Sequence, residues 1–358
     1  MDINSQPLVS IVTPAYNEEE YLAECIESVL SQTYQNWDYT IVDNCSTDRS
    51  LEIARNYAAR DSRIRICENN RFLEMLPNHN VAVRQISSRS KYCKVILADD
   101  WIFPQCLEKM VAVAEAYPSV GIVSAYERFG QQIRLTGLAP ETTLVAGREA
   151  CRLFLLEKLS LFGSQTSVLY RADLVRGRDP FYLETEQYAD FEVCFALLSN
   201  SDLGFVHEVL TFSRPRPASV GAISADMGAS YGSLLSMLFT YGNPCLSREE
   251  FEECLARRLS QYYNFLGRRL LVDRDSKFWS YHKRTFARLG LEFNRARLAW
   301  AAAEQLCGFI FNPKATMASI RRLFSLSKIR SQQMRKVVLE SRTSRSSATA
   351  IAKKELGA

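Results

Sequence analysis

The fold is decided by residues 13–50, TPAYNEEEYLAECIESVLSQTYQNWDYTIVDNCSTDRS, and by residues 94–104, KVILADDWIFP. Short apolar runs in these stretches end at polar or turn-forming residues, at Pro14, at Asp43 and at Asp99. Apolar runs of this length, bounded by such residues, are typical of buried strands. Helical spacing of apolar residues separates the runs, which predicts alternating strands and helices.

The predicted elements alternate over the first 125 residues. Asn17 followed by Glu20 resembles a capping box, so a first helix is expected to begin at Asn17. Ser46 and Thr47 are expected to open a second helix. The predicted strands are Leu8–Thr13, Tyr39–Val42, Arg63–Cys67, Lys94–Ala98 and Val120–Ala125.

This alternation predicts an α/β fold with a mostly parallel, Rossmann-like sheet flanked by helices. Ligands of such sheets bind beyond the carboxyl ends of the strands. Residues 14–17, Asp43 and 99–100 are therefore expected to converge on one crevice. Further along, strands are expected at Thr166–Tyr170 and Leu203–Phe212, and from about residue 230 the pattern is mainly helical.

Three regions are predicted: an α/β domain over residues 1–220, a helical region over 221–312 and a basic tail over 313–358. The tail carries a net charge of +9, which leaves −5 for the rest of the chain. Its basic residues are interleaved with apolar ones. This pattern fits a helix lying on an anionic membrane, a segment that binds a partner, or a solvated helix. Nucleic-acid binding is not expected, because no recognised reading motif accompanies the charge.

The composition points to a cytoplasmic globular protein with at most a peripheral membrane contact. Hydrophobic residues make up 47% of the chain, enough for a sizeable core. The ten cysteines are scattered without a CxxC pair, which favours a reducing compartment. The start MDINSQP lacks the features of a signal peptide, and no apolar run reaches 18 residues.

The strongest local chemical signal is the pair Asp99-Asp100 after a buried-looking strand. Two adjacent carboxylates cannot enter an apolar core without a cation, hydrogen-bond donors or water. A divalent metal held by a carboxylate and by substrate phosphates is one interpretation. A helix cap and a solvated turn are the alternatives that the pair alone leaves open.

The order of the motifs is more specific, and it resembles the family 2 glycosyltransferases with a GT-A fold. That family shows strands ending in (T/I)PxYN, in DDGSTD, and in DxD or DD before a proline. Here TPAYN, DNCSTD and ADDWIFP stand in those places. The resemblance implies sugar transfer from a nucleoside-diphosphate sugar, with a UDP-sugar as the leading expectation. It also implies a divalent metal, Mn²⁺ or Mg²⁺.

The resemblance further implies roles for residues at the matching positions. Asp43 is expected to accept a hydrogen bond from the base, Asp99 to lie near the ribose, and Asp100 to ligate the metal at the diphosphate. The full set of expected donor-binding residues is Pro14, Tyr16, Asn17, Glu18, Asp43, Arg71, Asn78 and Asp99.

The family also needs a general base for the acceptor hydroxyl, carried at the start of a later helix. Asp190 is the expected base, with Glu192 as the second candidate. The implied reaction is a single displacement that inverts the anomeric carbon. The acceptor is expected to be a glycan, a lipid-linked molecule or a protein.

Several departures from the family pattern support an alternative, a non-catalytic scaffold protein that keeps the fold and binds nucleotide sugars. Asn44 and Cys45 replace the second Asp and the Gly of DDGSTD, and Ala189 replaces the acidic residue before the base. Arg214 and Arg216, within SRPRP, either reach the diphosphate or belong to a solvated linker, and the linker is the favoured interpretation.

Overall fold

A computed structural model describes residues 6–216, 224, 226–271 and 275–311. Beyond the described residues lies the basic tail 313–358, so its predicted contacts with a membrane or a partner stay predictions. The strands of the described part are β1 (Val9–Ala15), β2 (Trp37–Asp43), β3 (Ile64–Glu68), β4 (Tyr92–Val95), β5 (Trp101–Ile102), β6 (Val120–Phe129), β7 (Gln132–Arg134), β8 (Leu144–Val145), β9 (Val168–Arg171) and β10 (Asp202–Ser213).

Helices connect and cover these strands. They are α1 (Leu22–Leu30), α2 (Ser50–Ala58), α3 (Met75–Val83), α4 (Cys106–Ala116), α5 (Gly147–Leu155), α6 (Ala172–Arg176), α7 (Ala189–Leu198), α8 (Ala229–Cys245), α9 (Arg248–Leu270), α10 (Ser276–Arg288) and α11 (Arg295–Phe311). None of the helices in the described ranges is long and apolar enough to cross a membrane.

All the strands belong to one sheet, in which the order β3-β2-β1-β4-β9-β6-β10-β5 is joined by β7 beside β6 and by β8 beside β10. The strands β3, β2, β1 and β4 run parallel, as predicted. The strand β9 lies antiparallel between β4 and β6, which the local sequence pattern did not predict. Parallel pairing resumes between β6 and β10. The predicted class, a mixed α/β fold with a mostly parallel sheet and a helical carboxyl-terminal region, is confirmed.

Two predicted helix starts are wrong, and both errors lie at the carboxyl edge of the sheet. The first helix begins at Leu22 and not at Asn17, because Asn17 adopts a left-handed conformation with φ of +54°. The second begins at Ser50 and not at Ser46. The intervening residues form loops that lie at the ends of β1 and β2.

The predicted strand 94–98 is also displaced, since β4 ends at Val95. Residues 96–100 continue as irregular backbone, in which the Ile96 amide still donates to the Val12 carbonyl at 3.0 Å. Asp99 and Asp100 therefore do not follow the strand directly. Their backbone leaves the sheet before the two carboxylates are reached, so these side chains need not alternate between faces as strand residues do.

The described residues divide into two compact units, one within Met1–Gln261 and Ser276–Phe293, and the other within Tyr262–Asp275 and the described residues from Asn294 to 311. The first unit contains the whole sheet. The predicted boundary at residue 220 stays a prediction. In the second unit α11 packs closely on Gly267, where an added Cβ would lie 2.8 Å from the Ala301 carbonyl carbon.

Candidate functional site

The loops that follow β1 and β2 are bound to each other by side-chain hydrogen bonds. The Asn17 Oδ1 accepts from the Thr47 amide at 2.8 Å, and the Asn17 amide donates to the Ser46 hydroxyl at 3.1 Å. The Glu18 amide donates to the Ser50 hydroxyl at 2.7 Å. Asn17 thus joins the two loops instead of capping a helix. Asparagine tolerates its left-handed backbone better than most residues.

Asp43 ends β2 and carries a buried oxygen with no partner. Its side chain is only 3% exposed, and its Oδ2 accepts from the Ser46 amide at 3.1 Å. No donor within the described residues reaches Oδ1. Buried polar atoms in folded proteins are almost always hydrogen-bonded. An unpartnered carboxylate oxygen therefore suits an N–H donor that arrives with a ligand.

An exposed aromatic pair lies beside this carboxylate. The rings of Tyr16 and Phe72 have centroids 4.8 Å apart, and the two residues are 43% and 50% exposed. Tyr16 directly follows the residue that pairs with Asp43 across the sheet. Exposed ring faces next to a hydrogen-bond acceptor offer a stacking surface for a planar base. Tyr16 was predicted here, whereas Phe72 was not.

Asn44 holds the segment that carries Phe72 against the end of β2. Its amide nitrogen donates to the Leu73 carbonyl at 2.8 Å, and its Oδ1 accepts from the Leu73 amide at 2.9 Å. Asn78 belongs to the same network through Asn69. The side-chain nitrogen of Asn69 donates to the Oδ1 of Asn44 and to the Oδ1 of Asn78, each at 2.9 Å. Asn78 is buried, so its place is that of a brace beneath the loop.

Two other residues predicted to bind the sugar donor, Arg71 and Pro14, take no part in the side-chain hydrogen bonds described above. Arg71 is exposed in the loop between β3 and α3. Pro14 is buried within β1 opposite Val42. It therefore shapes the strand instead of lining an open crevice.

Glu18 and Asp99 converge on a single guanidinium nitrogen. The Arg216 Nη1 lies 2.7 and 2.8 Å from the two carboxylate oxygens of Glu18 and 3.1 Å from Asp99 Oδ2. Burial raises the pKa of Glu18, and the hydrogen bond from Arg216 opposes that rise. The sequence interpretation had favoured a solvated linker for Arg216.

Asp100 is buried and engaged by three protein donors. Its Oδ2 accepts from the hydroxyls of Thr166 at 2.7 Å and Ser213 at 3.1 Å, and its Oδ1 accepts from the Arg214 amide at 2.9 Å. Burial, with a smaller effect of Asp99, raises its pKa to about 7. Both oxygens of Asp100 thus already accept hydrogen bonds from the protein, and a metal bound here would have to share them with these donors.

Glu127 is a second buried acid beside Asp100, and the sequence interpretation missed it. The residue is 3% exposed, and its Oε1 accepts from Ser164 at 2.7 Å and from Ser213 at 2.8 Å. Ser213 therefore lies between the two carboxylates, and its one proton serves one of them at a time. The only sequence signal for Glu127 was a single acid near the end of a strongly apolar strand.

A fully buried lysine lies behind this acidic cluster. The Lys94 ammonium donates to the carbonyls of Thr166 at 2.5 Å and Val168 at 3.2 Å. Burial lowers its pKa, which the charges of Glu127 and Asp100 partly oppose. Because Thr166 also donates to Asp100, Lys94 fixes the backbone that positions this hydroxyl.

Asp190 is the second residue of α7, and one of its carboxylate oxygens has no hydrogen-bond partner among the described residues. Its Oδ1 accepts from the Phe191 amide at 3.0 Å, and burial raises its pKa to about 6. Glu192, the second candidate, is instead paired with Arg178 at 2.7 and 2.9 Å and accepts from the Tyr241 hydroxyl. Asp190 is therefore the better placed of the two to accept a proton from a ligand.

The family resemblance implies a divalent metal at this site. Across the described ranges, no group of three or more His, Cys, Asp or Glu side chains is arranged to hold a metal. Mg²⁺ often needs only one or two carboxylates together with phosphates. However, the predicted ligand Asp100 is occupied by protein donors, and the Glu18 and Asp99 oxygens surround Arg216. The residues present do not fit the predicted metal site.

The part of the chain that carries the candidate donor site is similar to known glycosyltransferases. Residues 10–177 match the family model described as Glycosyl transferase family 2. EpsE of Bacillus subtilis is 35% identical over 169 residues, which cover 45% of this chain and 59% of that protein. The glycosyltransferase GlyG of Streptococcus pneumoniae is 29% identical over 126 residues, 35% of this chain and 40% of that protein. The matches thus span about half the length of these relatives.

Solved structures share the fold. TarS 1–349 of S. aureus in complex with UDP-GlcNAc superposes with a TM-score of 0.60 at 15% identity, covering 82% of this chain and 87% of that one. The mannosyltransferase PcManGT of Pyrobaculum calidifontis, in complex with GDP-Man and Mn²⁺, gives 0.53 at 15% identity, covering 85% and 88%. At this identity the likeness shows the GT-A fold alone.

Proposed function

We propose, from the match of residues 10–177 to the family model for glycosyltransferase family 2, that this chain transfers a sugar from a nucleoside-diphosphate sugar to an acceptor hydroxyl. The observation that carries the proposal is the buried, unpartnered Oδ1 of Asp43. It lies at the end of a parallel strand, where ligands of such sheets bind. The exposed Tyr16–Phe72 pair beside it completes a site for a planar base.

The donor would extend from this base site toward Asp99. Asp43 would accept an N–H of the base, and the two aromatic rings would contact its face. Asp99 lies further along the same edge, with its side chain partly exposed at 20%, where a ribose or diphosphate would follow. The neighbours bind UDP-GlcNAc and GDP-Man, and a UDP-sugar remains the leading candidate here.

Asp190 would act as the general base in the acceptor half. Its raised pKa of about 6 still leaves it ionised at neutral pH, and a base is most effective with a pKa near the working pH. A carboxylate that deprotonates an attacking hydroxyl supports a single displacement with inversion at the anomeric carbon. The acceptor class stays open among glycans, lipid-linked molecules and proteins.

A divalent metal is the cofactor that the family implies, and Mn²⁺ is present in the PcManGT complex. Because Asp100 is held by three protein donors here, we derive no step of the reaction through a metal. The residues that act in the proposal are Asp43, Asp99 and Asp190. Thr166, Ser213 and the Arg214 amide would hold Asp100 in place.

The proposal is tested with a panel of UDP- and GDP-sugars, with binding measured by calorimetry and turnover by release of free nucleotide. Binding of one donor, followed by its cleavage, is the expected result. The change Asp43→Ala should remove binding, whereas Asp190→Asn should keep binding and lose turnover. Binding without turnover across the panel and a set of acceptors would instead indicate a scaffold protein. No binding at all would refute the proposal.

A further inference from the structure

We propose that Arg216 of this chain, and not a divalent metal, supplies the positive charge for the donor diphosphate. This inference rests on the proposed function, since it concerns the same donor site. It begins from the disagreement between the family's metal motif and the side chains found here. Both oxygens of the carboxylate expected to hold the metal accept hydrogen bonds from the protein, and the neighbouring carboxylates already hold a cation.

A diphosphate bound beside Glu18 and Asp99 needs a cation, because both of these side chains are acidic. Glu18 and Asp99 are both acidic and partly buried, with side-chain exposures of 17% and 20%. A diphosphate brought beside two carboxylates would be repelled unless a cation lay between them. The cation that the structure puts there is the Arg216 guanidinium, within 3.1 Å of oxygens from both residues.

Arg216 also has the geometry to bind phosphate without leaving these partners. Its contacts with Glu18 and Asp99 all use Nη1, and within the described part of the chain no carboxylate or carbonyl is bonded to its Nε or Nη2. A guanidinium presents five donors in a planar fork that suits phosphate oxygens. Its side chain is 34% exposed, so a ligand can reach it.

The neighbouring Arg214 is a poorer candidate for this role. Its Nε donates to the Asp99 carbonyl at 3.1 Å, and its Nη2 pairs with Glu24 at 2.5 Å. Its backbone amide is one of the three donors to Asp100. Arg214 therefore fixes the chain at the end of β10, which carries Arg216 to the two carboxylates.

Calorimetry with UDP and GDP as probes, in EDTA or in Mn²⁺, tests the inference. We expect the wild type to bind the preferred nucleotide in EDTA within about threefold of its affinity in Mn²⁺. Arg216→Gln should weaken binding in EDTA by roughly 10- to 100-fold, the range for a charge-assisted hydrogen bond. Arg216→Lys should lie between the two, because it keeps the charge and loses the fork.

A matched control and a second readout separate this role from a structural one. Arg248→Ala removes one charge at a site 91% exposed on α9 and should leave binding unchanged. Mn²⁺ binding without nucleotide, followed by electron paramagnetic resonance, should be weak in the wild type. It should become stronger in Arg216→Gln, which frees three carboxylate oxygens. Far-ultraviolet circular dichroism checks that each variant is folded.

The outcomes distinguish this inference from the proposed function. Nucleotide binding that needs Mn²⁺ in the wild type, or that is unchanged in Arg216→Gln, overturns the role of Arg216 and leaves the sugar-transferase proposal intact. Failure of both UDP and GDP to bind the wild type in either buffer overturns the proposed function, and this inference with it.

Discussion

Replacing Asp190 by asparagine removes the proposed general base while keeping the size of the side chain. Its Oδ1 can still accept from the Phe191 amide, a bond of 3.0 Å. The substitution should therefore leave the start of α7 folded. A positioned base contributes about 10²–10⁴ in rate, so turnover should fall by that factor while the dissociation constant of the donor stays within about twofold.

The raised pKa of Asp190 adds a prediction about pH. Burial raises this pKa to about 6, and only the ionised form can accept a proton. At pH 5 about a tenth of the molecules would carry the ionised base, and at pH 7 about nine tenths. Turnover in the wild type should therefore rise between pH 5 and pH 7, with a midpoint near the pKa of Asp190. Asp190→Asn should lack this rise.

The assay is the release of nucleotide from the donor that binds in the panel, with water as the acceptor until a better one is known. Asp173→Asn is the matched control, because Asp173 is also the second residue of its helix. Its side chain is 59% exposed and pairs only with Arg171 among the described side chains. Its kinetics and pH profile should match those of the wild type.

Two results would refute the reasoning. One is an Asp190→Asn protein that turns over within about threefold of the wild type at pH 7. The other is a loss of turnover in Asp190→Asn that is matched by a loss of donor binding. The first would remove Asp190 from proton transfer, and the second would make its role one of donor binding or of folding.

Three further predictions concern the donor half. Asp43→Asn should weaken binding of the preferred nucleotide by roughly 10-fold or more, because an amide nitrogen would face the N–H of the base; calorimetry decides this, and unchanged affinity would contradict the base site. Asn44→Asp should destabilise the fold by about 1–3 kcal/mol in urea unfolding, because a carboxylate cannot donate to the Leu73 carbonyl; equal stability would contradict that role. Cys45→Gly should stabilise by about 0.5–1 kcal/mol, because Cys45 has a φ of +60°; a lower urea midpoint would count against backbone strain there.

The sequence predicted the longer strands, most of which are apolar runs ended by a polar residue, but it missed the short strands β5, β7 and β8. It could not show that β9 lies antiparallel between β4 and β6, since pairing between distant segments leaves no local period. The start of α1 was misplaced for a related reason. Asn17 has the composition of a cap, but its Oδ1 binds Thr47 from another loop. Local patterns do not distinguish these two uses of one side chain.

In the site, too, the sequence predicted residues that belong to local motifs and missed residues that only the fold brings together. The acids at strand ends were visible as motifs, and the structure brings Glu18 and Asp99 together through Arg216. Glu127 was not predicted, because a single acidic residue in a strand does not by itself indicate a functional site. Arg216 was judged part of a linker, because prolines and arginines in alternation resemble solvated chain. Only the fold reveals that this segment returns to the ends of β1 and β4.

The asparagine at position 44, where the family's DDGSTD motif has its second aspartate, has a structural role and need not indicate loss of function. An aspartate at position 44 could accept from the Leu73 amide but could not donate to its carbonyl, whereas asparagine does both, at 2.9 and 2.8 Å. Asn44 is also only 2% exposed, where a second charge beside Asp43 would be costly. The substitution thus removes a buried charge and fixes the segment that carries Phe72. It keeps the one carboxylate that the base would need.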